Sequence, residues 1–161
     1  MRTFSIESNG RIEKTALYLN GEQLSGVNEV FIHIDEDGTF DAVIEYVGSD
    51  GQARTKQLFT DYLDKMKVTP PVFTEEEARY LQLLTIESNG DVSETLLYYN
   101  DVPLEGVVDI LLHIRKGASN TSSLFTSLIK GKKTLPDDEA FRAEMMFRNE
   151  NDTLELETLF L

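Results

Sequence analysis

The chain has 161 residues, of which 40% are hydrophobic and 27% are charged, a composition typical of a globular protein. Its 29 acidic residues outnumber the 15 Lys and Arg residues, and the resulting net charge of −14 argues against a nucleic-acid-binding surface. The absence of cysteine excludes disulfides and thiolate metal sites, and no apolar run approaches the roughly 20 residues of a membrane-spanning helix. The first residues show neither a secretory signal nor a transit peptide, so we expect a cytoplasmic protein.

An internal repeat is the strongest feature of the sequence. Phe4–Asp35 aligns without a gap on Leu84–Arg115 at an offset of 80, and 14 of the 32 aligned pairs are identical. Ala42–Phe59 then falls on Ala143–Phe160 at an offset of 101, with a shared pattern of strand, polar turn and strand. The difference between the two offsets, 21 residues, is the length added to the second repeat within 116–139.

The repeat predicts the architecture. We predict a mainly β protein with little α-helix, formed by tandem duplication of a small antiparallel sandwich or partly open barrel module. The predicted divisions are a first β module at 1–60, a linker with short helices at 61–81, and a second β module at 82–161 that contains the insertion at 116–139. Equivalent residues of the first and second repeats differ by 80 before the insertion and by 101 after it.

The first strand of each repeat ends at an Asn-Gly turn signal. A three-residue loop at Ser8–Gly10, with the glycine left-handed in a bulge, would set Ile6 opposite Ile12. The same loop in the second repeat would set Ile86 opposite Val92. We therefore predict a tight hairpin at the start of each repeat.

A second tight turn follows at Asn20–Gly21, and its counterpart in the second repeat is Asn100–Asp101. Because Asp tolerates a left-handed backbone better than most residues, we predict that the turn is kept. Its register places Leu17 opposite Leu24.

The segment Val30–Ile34 and its counterpart Ile110–Ile114 are apolar on both faces, which is typical of a central strand. Phe40–Val47 and Ala53–Phe59 then close the first repeat as another hairpin. The predicted core consists of Leu17, Leu24, Val30, Ile32 and Ile34 with their equivalents in the second repeat.

The linker contains two candidate helical segments. Thr60–Met66 is predicted to form one or two helical turns, and Pro70-Pro71 ends any regular structure there. Thr74 and Glu77 form a capping-box pattern, which predicts a short helix that ends at Tyr80 or Leu81.

The two histidines of the chain, His33 and His113, occupy equivalent positions and are candidate binding residues. If they converged they could form a metal pair or a pH-sensitive contact, whereas the alternative is a half-buried strand histidine beside Phe31 or Leu111. No linear spacing supplies carboxylate partners for a metal, so we predict neither a metal site nor a cofactor. Asp35–Gly38 matches a calcium loop incompletely and is interpreted as a turn.

The insertion is the segment that most distinguishes the repeats, and a long loop in one repeat is a candidate binding element. Packing on its own module is the alternative interpretation. The candidate binding residues in the insertion are Leu124, Phe125, Leu128, Lys130, Lys132 and Lys133.

The run Leu17–Val27 resembles a pattern of small β-proteins from phages and prophages, in which a strand, an Asn/Asp-Gly turn and a Gly-Val step recur. The second repeat departs from this pattern at Asp101. The resemblance implies a phage-encoded virion or accessory protein in the host cytoplasm, and it carries over no functional residue.

No nucleophile, phosphate loop or paired-acid pattern indicates catalysis, so we expect no enzyme and no catalytic residues. The first hypothesis is a non-enzymatic protein-interaction or assembly module that binds a protein partner or itself, without nucleic acid or membrane. The second is an acidic inhibitor that mimics DNA and occupies a basic nucleic-acid-binding groove. An enzyme of unknown class is the third.

Overall fold

A computed structural model describes residues 1–116 and 140–161, and these residues confirm a mainly β protein. Its helical segments are two 3₁₀ turns, Ile12–Lys14 and Val92–Glu94, and the helix α1 at Glu75–Ala78. The strands are β1 (Arg2–Ser8), β2 (Thr15–Leu19), β3 (Glu22–Ser25), β4 (Val27–Asp35), β5 (Phe40–Val47), β6 (Ala53–Gln57), β7 (Lys67–Thr69), β8 (Gln82–Ser88), β9 (Leu96–Tyr99), β10 (Val102–Pro103), β11 (Val107–Arg115), β12 (Phe141–Arg148) and β13 (Leu154–Thr158).

The described strands form two open antiparallel sheets. The first sheet has the order β10-β9-β8-β1-β2-β3-β7, and the second has the order β13-β12-β11-β4-β5-β6. In each sheet the strands of the second repeat lie on one side and those of the first repeat lie on the other, and β7 of the linker adds the last strand beside β3 in the first sheet.

Equivalent strands of the two repeats pair at the centre of both sheets. In the first sheet Ser5 of β1 lies opposite Thr85 of β8, and their hydroxyl oxygens are 3.2 Å apart. In the second sheet Ile32 of β4 lies opposite Leu112 of β11. Each pair joins residues that are equivalent in the repeat alignment, 80 positions apart. The paired strands β1 and β8, and β4 and β11, are therefore related by a local two-fold symmetry centred on these residue pairs.

One apolar core lies between the sheets and receives side chains from both repeats. The predicted core residues of the first repeat are all buried. In the second repeat the strand equivalents on β11 are buried, whereas Leu97 and Leu104 are only partly buried and pack at the margin of the core. The fully buried core side chains include Phe4, Ile6, Leu17, Ile32, Ile44, Tyr46, Leu84 and Ile86.

The first hairpin of each repeat differs from the predicted register. Ile6 lies opposite Leu17, not Ile12, and Ile86 lies opposite Leu97. The turn is longer than three residues because the chain inserts a 3₁₀ turn before β2, which is stabilised by a hydroxyl–hydroxyl contact of 2.7 Å between Ser8 and Thr15. Ile12 is therefore displaced from the strand and packs against the edge of the core.

The second turn is confirmed in both repeats. Asn20 and Gly21 have φ angles of 51° and 85°, and the corresponding angles of Asn100 and Asp101 are 52° and 65°. Two consecutive left-handed residues define the turn type that suits a two-residue hairpin. The side-chain oxygen of Asn20 also accepts a hydrogen bond of 3.0 Å from the backbone N–H of Thr3.

The linker differs from the predicted helical segment at Thr60–Met66, which contains turns and no helix. The side chain of Asp61 accepts a hydrogen bond from the Gln57 N–H, and Lys65 has a left-handed φ of 61°, so the chain bends instead of coiling. The residues that follow form β7, which pairs with β3 at the edge of the first sheet. The linker thus supplies the edge strand of the first sheet next to β3.

The capping box is confirmed at the start of α1. Thr74 Oγ1 accepts a hydrogen bond of 3.1 Å from the Glu77 N–H, and Glu77 Oε1 accepts one of 3.2 Å from the Thr74 N–H. The helix ends at Ala78, two or three residues earlier than predicted.

Tyr18 in β2 provides a test of the first sheet at high pH. Burial raises the pKa of Tyr18 to about 12, and the hydrogen bond and charge of Glu7 act in the same direction. A raised folded-state pKa adds stability that is complete below the usual value of 10.0 and is lost as the pH rises through about 12. We expect the free energy of unfolding of Tyr18→Phe to depend less on pH between 10.0 and about 12 than that of the wild type, as measured by urea denaturation at several alkaline pH values. Tyr62→Phe, at an exposed tyrosine, should behave as the wild type; equal pH dependence in all three proteins would contradict the prediction.

Candidate functional site on the second sheet

The outer face of the second sheet, which points away from the core, carries both histidines. β4 and β11 lie side by side at the centre of this sheet, and alternate residues of each strand point outward. His33 lies opposite Leu111, and His113 lies opposite Phe31. The rings of Phe31 and His113 meet edge to face, with centroids 5.4 Å apart. Each histidine therefore has an apolar neighbour across the strand pair.

His113 forms a buried side-chain contact with Glu29. Its Nε2 contacts a carboxylate oxygen of Glu29, and the two side chains are 0% and 2% exposed. A guanidinium nitrogen of Arg115 lies 3.5 Å from the same Glu29 oxygen. A buried carboxylate is tolerated when charged donors surround it, and here an imidazole and a guanidinium both contact it.

His33 contacts two carboxylates. Its Nε2 lies 3.2 Å from an Asp109 oxygen and 3.9 Å from an Asp35 oxygen. Asp35 lies directly opposite Asp109, and His33 precedes Asp35 by two residues on the same face of β4. The three side chains are 20%, 16% and 34% exposed for His33, Asp35 and Asp109, so the cluster is partly shielded from solvent.

The two histidine sites are equivalent in the repeat. In each site a histidine reaches a carboxylate on the neighbouring strand that lies diagonally across from it, Asp109 for His33 and Glu29 for His113. The pairing of β11 with β12 shifts register just before Asp109, and the pairing of β4 with β5 shifts register just before Glu29. The third position differs between the sites, because Asp35 of the first repeat corresponds to Arg115 of the second.

The carboxylate of Asp35 is oriented by the turn that follows β4. One of its oxygens accepts hydrogen bonds of 3.0 Å from the backbone N–H groups of Asp37 and Thr39. Burial alone would raise the pKa of Asp35, but the hydrogen bonds from Thr39 and Asp37 and the nearby His33 together lower it. The second oxygen is the one that faces His33. Asp35–Gly38 is thus a turn between strands, as predicted.

Asp35 and Asp109 also line a cavity of about 540 Å³ at this end of the sheets. Its apolar wall is formed by residues such as Val92, Leu97 and Val107. Ile34 and Ile110, which belong to the core between the sheets, also line it, so the cavity lies on the core side of β4 and β11.

Three of the four edge strands carry features that oppose further strand pairing. β10 contains Pro103, which lacks a backbone N–H, and β7 contains Lys67 and is followed by two prolines. On β6 the Gln57 N–H donates a hydrogen bond of 2.8 Å to the Asp61 carboxylate, and β6 also carries Arg54 and Lys56. Each of these edges is therefore protected by proline, by basic side chains or by a cap.

Within the part of the chain that the structure describes, the fourth edge strand, β13, has none of these features, and its charged residues are glutamates. Its five residues, Leu154–Thr158, are all exposed and include neither proline nor a basic residue. Leu154 is 50% exposed and Leu156 is 61% exposed. An edge strand with exposed leucines and without proline is a typical site for pairing with another chain, provided that the charges of that chain complement Glu155 and Glu157.

The candidate residues of the insertion, Leu124, Phe125, Leu128, Lys130, Lys132 and Lys133, lie outside the described residues. Their predicted binding role stays a prediction. His33 and His113 are brought onto one face of one sheet, where each contacts a carboxylate.

The sequence analysis did not identify Glu29, Asp35, Asp109 or Arg115 as partners of the histidines. The repeat alignment does place these charged residues at equivalent positions on either side of the two histidines. This placement indicates contact with the histidines only once β4 is known to pair with β11.

Among the described residues, no helix is long and apolar enough to cross a membrane. Comparison with known proteins gave no matching family model, no matching curated protein and no matching solved structure.

Proposed function

We propose that this protein is a non-enzymatic protein-interaction module, built by tandem duplication of an antiparallel β module, that binds its partner by strand addition at β13. The observation that carries the proposal is the contrast among the edge strands. Within the described residues, three edges carry proline, basic side chains or a cap, whereas β13 carries exposed leucines and only acidic charges.

The backbone of β13 is oriented for strand addition. At the two ends of the β12–β13 pair, Asn149 N–H donates to Thr153 O (3.0 Å) and Leu159 N–H donates to Ala143 O (2.9 Å). In an antiparallel pair every second residue of a strand bonds its neighbour, so the odd-numbered residues from 153 to 159 bond β12. Glu155 and Glu157 therefore direct their backbone groups toward β12. The N–H and C=O groups of Leu154, Leu156 and Thr158 point the other way, where an added strand would accept and donate hydrogen bonds.

The charges of β13 favour a partner over a second copy of this chain. An antiparallel pair of two β13 strands must join the outward-facing residues of each. Every register that joins more than one of Leu154, Leu156 and Thr158 places Glu155 or Glu157 opposite a glutamate of the other copy. Like charges directly opposite in a sheet are destabilising. We infer that the partner is an extended segment with Lys or Arg at alternate positions, which would lie opposite these glutamates, and apolar residues between them.

A short synthetic peptide tests this proposal. We expect an acetylated, amidated Val-Lys-Val-Lys-Val peptide to bind the full chain more tightly than the matched Val-Glu-Val-Glu-Val peptide, as measured by isothermal titration calorimetry. Leu156→Pro removes an outward N–H and leaves the β12 ladder intact, so it should weaken binding at least tenfold. Ala53→Pro, at the first residue of the opposite edge strand β6, is the control that should bind as the wild type.

Binding that Leu156→Pro leaves unchanged would place the interaction elsewhere on the molecule. Equal affinity for the basic and the acidic peptide would contradict the inferred partner chemistry. Concentration-dependent dimerisation that is lost in Leu156→Pro would assign the edge to a second copy of the chain instead.

A further inference from the structure

We propose that His33, Asp35 and Asp109 form a binding site for a divalent transition-metal ion such as Zn²⁺. This site is separate from β13 and does not depend on the function proposed above. One nitrogen and two carboxylate oxygens, one from each side chain, lie within 4.8 Å of one another. Imidazole and carboxylate are the ligands that zinc and its neighbours in the first transition series bind together in proteins.

The spacing of these atoms suits a tetrahedral ion. Zinc bonds of about 2.0–2.1 Å place neighbouring ligand atoms roughly 3.3 Å apart in a tetrahedron. His33 Nε2 lies 3.2 Å from an Asp109 oxygen and 3.9 Å from an Asp35 oxygen. The three ligand atoms lie within 4.8 Å of one another, so side-chain rotations of the two aspartates would bring them to the separations that a tetrahedral ion requires.

The backbone positions the three ligands before any ion binds. His33 and Asp35 project from the same face of β4 two residues apart, and Asp109 lies opposite Asp35 on β11. The turn after β4 holds one oxygen of Asp35 through two backbone hydrogen bonds, which leaves the other oxygen toward His33. Three protein ligands are one fewer than a tetrahedral ion takes, and the partial exposure of His33 (20%) and Asp109 (34%) allows a water molecule to complete the site.

The second repeat provides an independent indication that this position takes a cation. There the same histidine–carboxylate pair, His113 and Glu29, is completed by the guanidinium of Arg115. In the first repeat the position of Arg115 holds Asp35, which faces Asp109 directly. Two carboxylates opposite each other in a sheet repel, and a bound cation between them removes that repulsion. At equivalent positions, therefore, the second repeat has the cationic side chain of Arg115 and the first repeat has a carboxylate that can bind a cation.

Among the described residues, the charges next to the site in the sheet do not supply that cation. Asp41 of β5 lies opposite His33 and is also acidic. Arg148 of β12 forms an ion pair of 3.0 Å with Glu36 and another of 3.2 Å with Asp152. The local charge within the described residues is therefore negative around His33, which favours binding of a divalent ion.

Titration with metal salts tests the site on the full chain after removal of metals with a chelator. We expect one equivalent of Zn²⁺ to bind, as measured by calorimetry, and to raise the melting temperature. Co²⁺ should bind at the same place and give a visible absorption spectrum of nitrogen and oxygen coordination. His33→Ala and Asp109→Asn should each weaken Zn²⁺ binding at least tenfold, and Asp37→Asn, a neighbouring carboxylate outside the cluster, should leave it unchanged.

Asp35→Arg separates loss of the site from loss of the fold. This variant reproduces the arrangement of the second repeat, so it should remain folded by circular dichroism and bind no Zn²⁺ at this position. Absence of Zn²⁺ binding by the wild type would overturn the proposal. So would binding that survives in His33→Ala, Asp109→Asn and Asp35→Arg, because the ion would then be held by other carboxylates.

Discussion

Replacement of Ile32 by alanine is expected to lower the free energy of unfolding by about 2–5 kcal/mol, the usual cost of a lost apolar side chain plus the cavity it leaves. Ile32 is 0% exposed and lies opposite Leu112 at the centre of the second sheet. β4 pairs on both sides, with β5 and with β11, so the surrounding side chains have little freedom to collapse into the space. Urea denaturation measures the change.

Two further variants show whether the core is shared. Leu112→Ala should cost a similar amount, and the double variant should deviate from additivity because the two side chains are neighbours in one core. Val68→Ala on the exposed edge strand β7 is the control and should change stability by no more than about 0.5 kcal/mol. A loss below about 1 kcal/mol for Ile32→Ala would show that β4 is not at the centre of the core.

Replacement of Glu29 by alanine is expected to cost about 3–5 kcal/mol, the range found when one partner of a buried ion pair is removed. His113 is fully buried and loses its carboxylate partner in this variant, and the Arg115 guanidinium loses a contact at 3.5 Å. Desolvated polar groups are expensive when their interactions are removed. Thermal and urea unfolding of the purified variant measure the effect.

Glu29→Gln separates the charge from the shape of the side chain. The glutamine keeps an oxygen that accepts a hydrogen bond, so the free energy of unfolding of Glu29→Gln should lie between those of the wild type and Glu29→Ala. Glu22→Ala, which removes an exposed glutamate from β3, should stay within about 0.5 kcal/mol of the wild type. A stability for Glu29→Ala equal to that of Glu22→Ala would mean that the buried pair contributes nothing.

The strands could be predicted because the repeat alignment and the alternation of apolar residues determine their positions. β5 and β12 begin and end at equivalent residues under the offset of 101, and so do β6 and β13. The first-hairpin register could not be predicted, because an Asn-Gly pair indicates a short loop, whereas the contact between Ser8 and Thr15 stabilises a longer one. β7 was missed because its few residues become a strand only by pairing with β3.

The candidate sites depended on tertiary pairing to a greater degree. His33 is conspicuous in the sequence, but Asp109 lies 76 residues away and is brought beside it only by the pairing of β4 with β11. The lack of proline and basic residues in Leu154–Thr158 is visible in the sequence. Its meaning depends on β13 being the last strand of its sheet, which the sequence pattern does not indicate.

The measurement that tests strand addition most directly is hydrogen exchange of individual backbone amides, followed by NMR, with and without the Val-Lys-Val-Lys-Val peptide. The outward-facing amides of Leu154, Leu156 and Thr158 should exchange markedly more slowly when the peptide is bound, because an added strand would supply acceptors for them. Amides of Glu155 and Glu157, which already face β12, should change little. Unchanged exchange at the three outward-facing amides of a peptide-saturated protein would contradict the account.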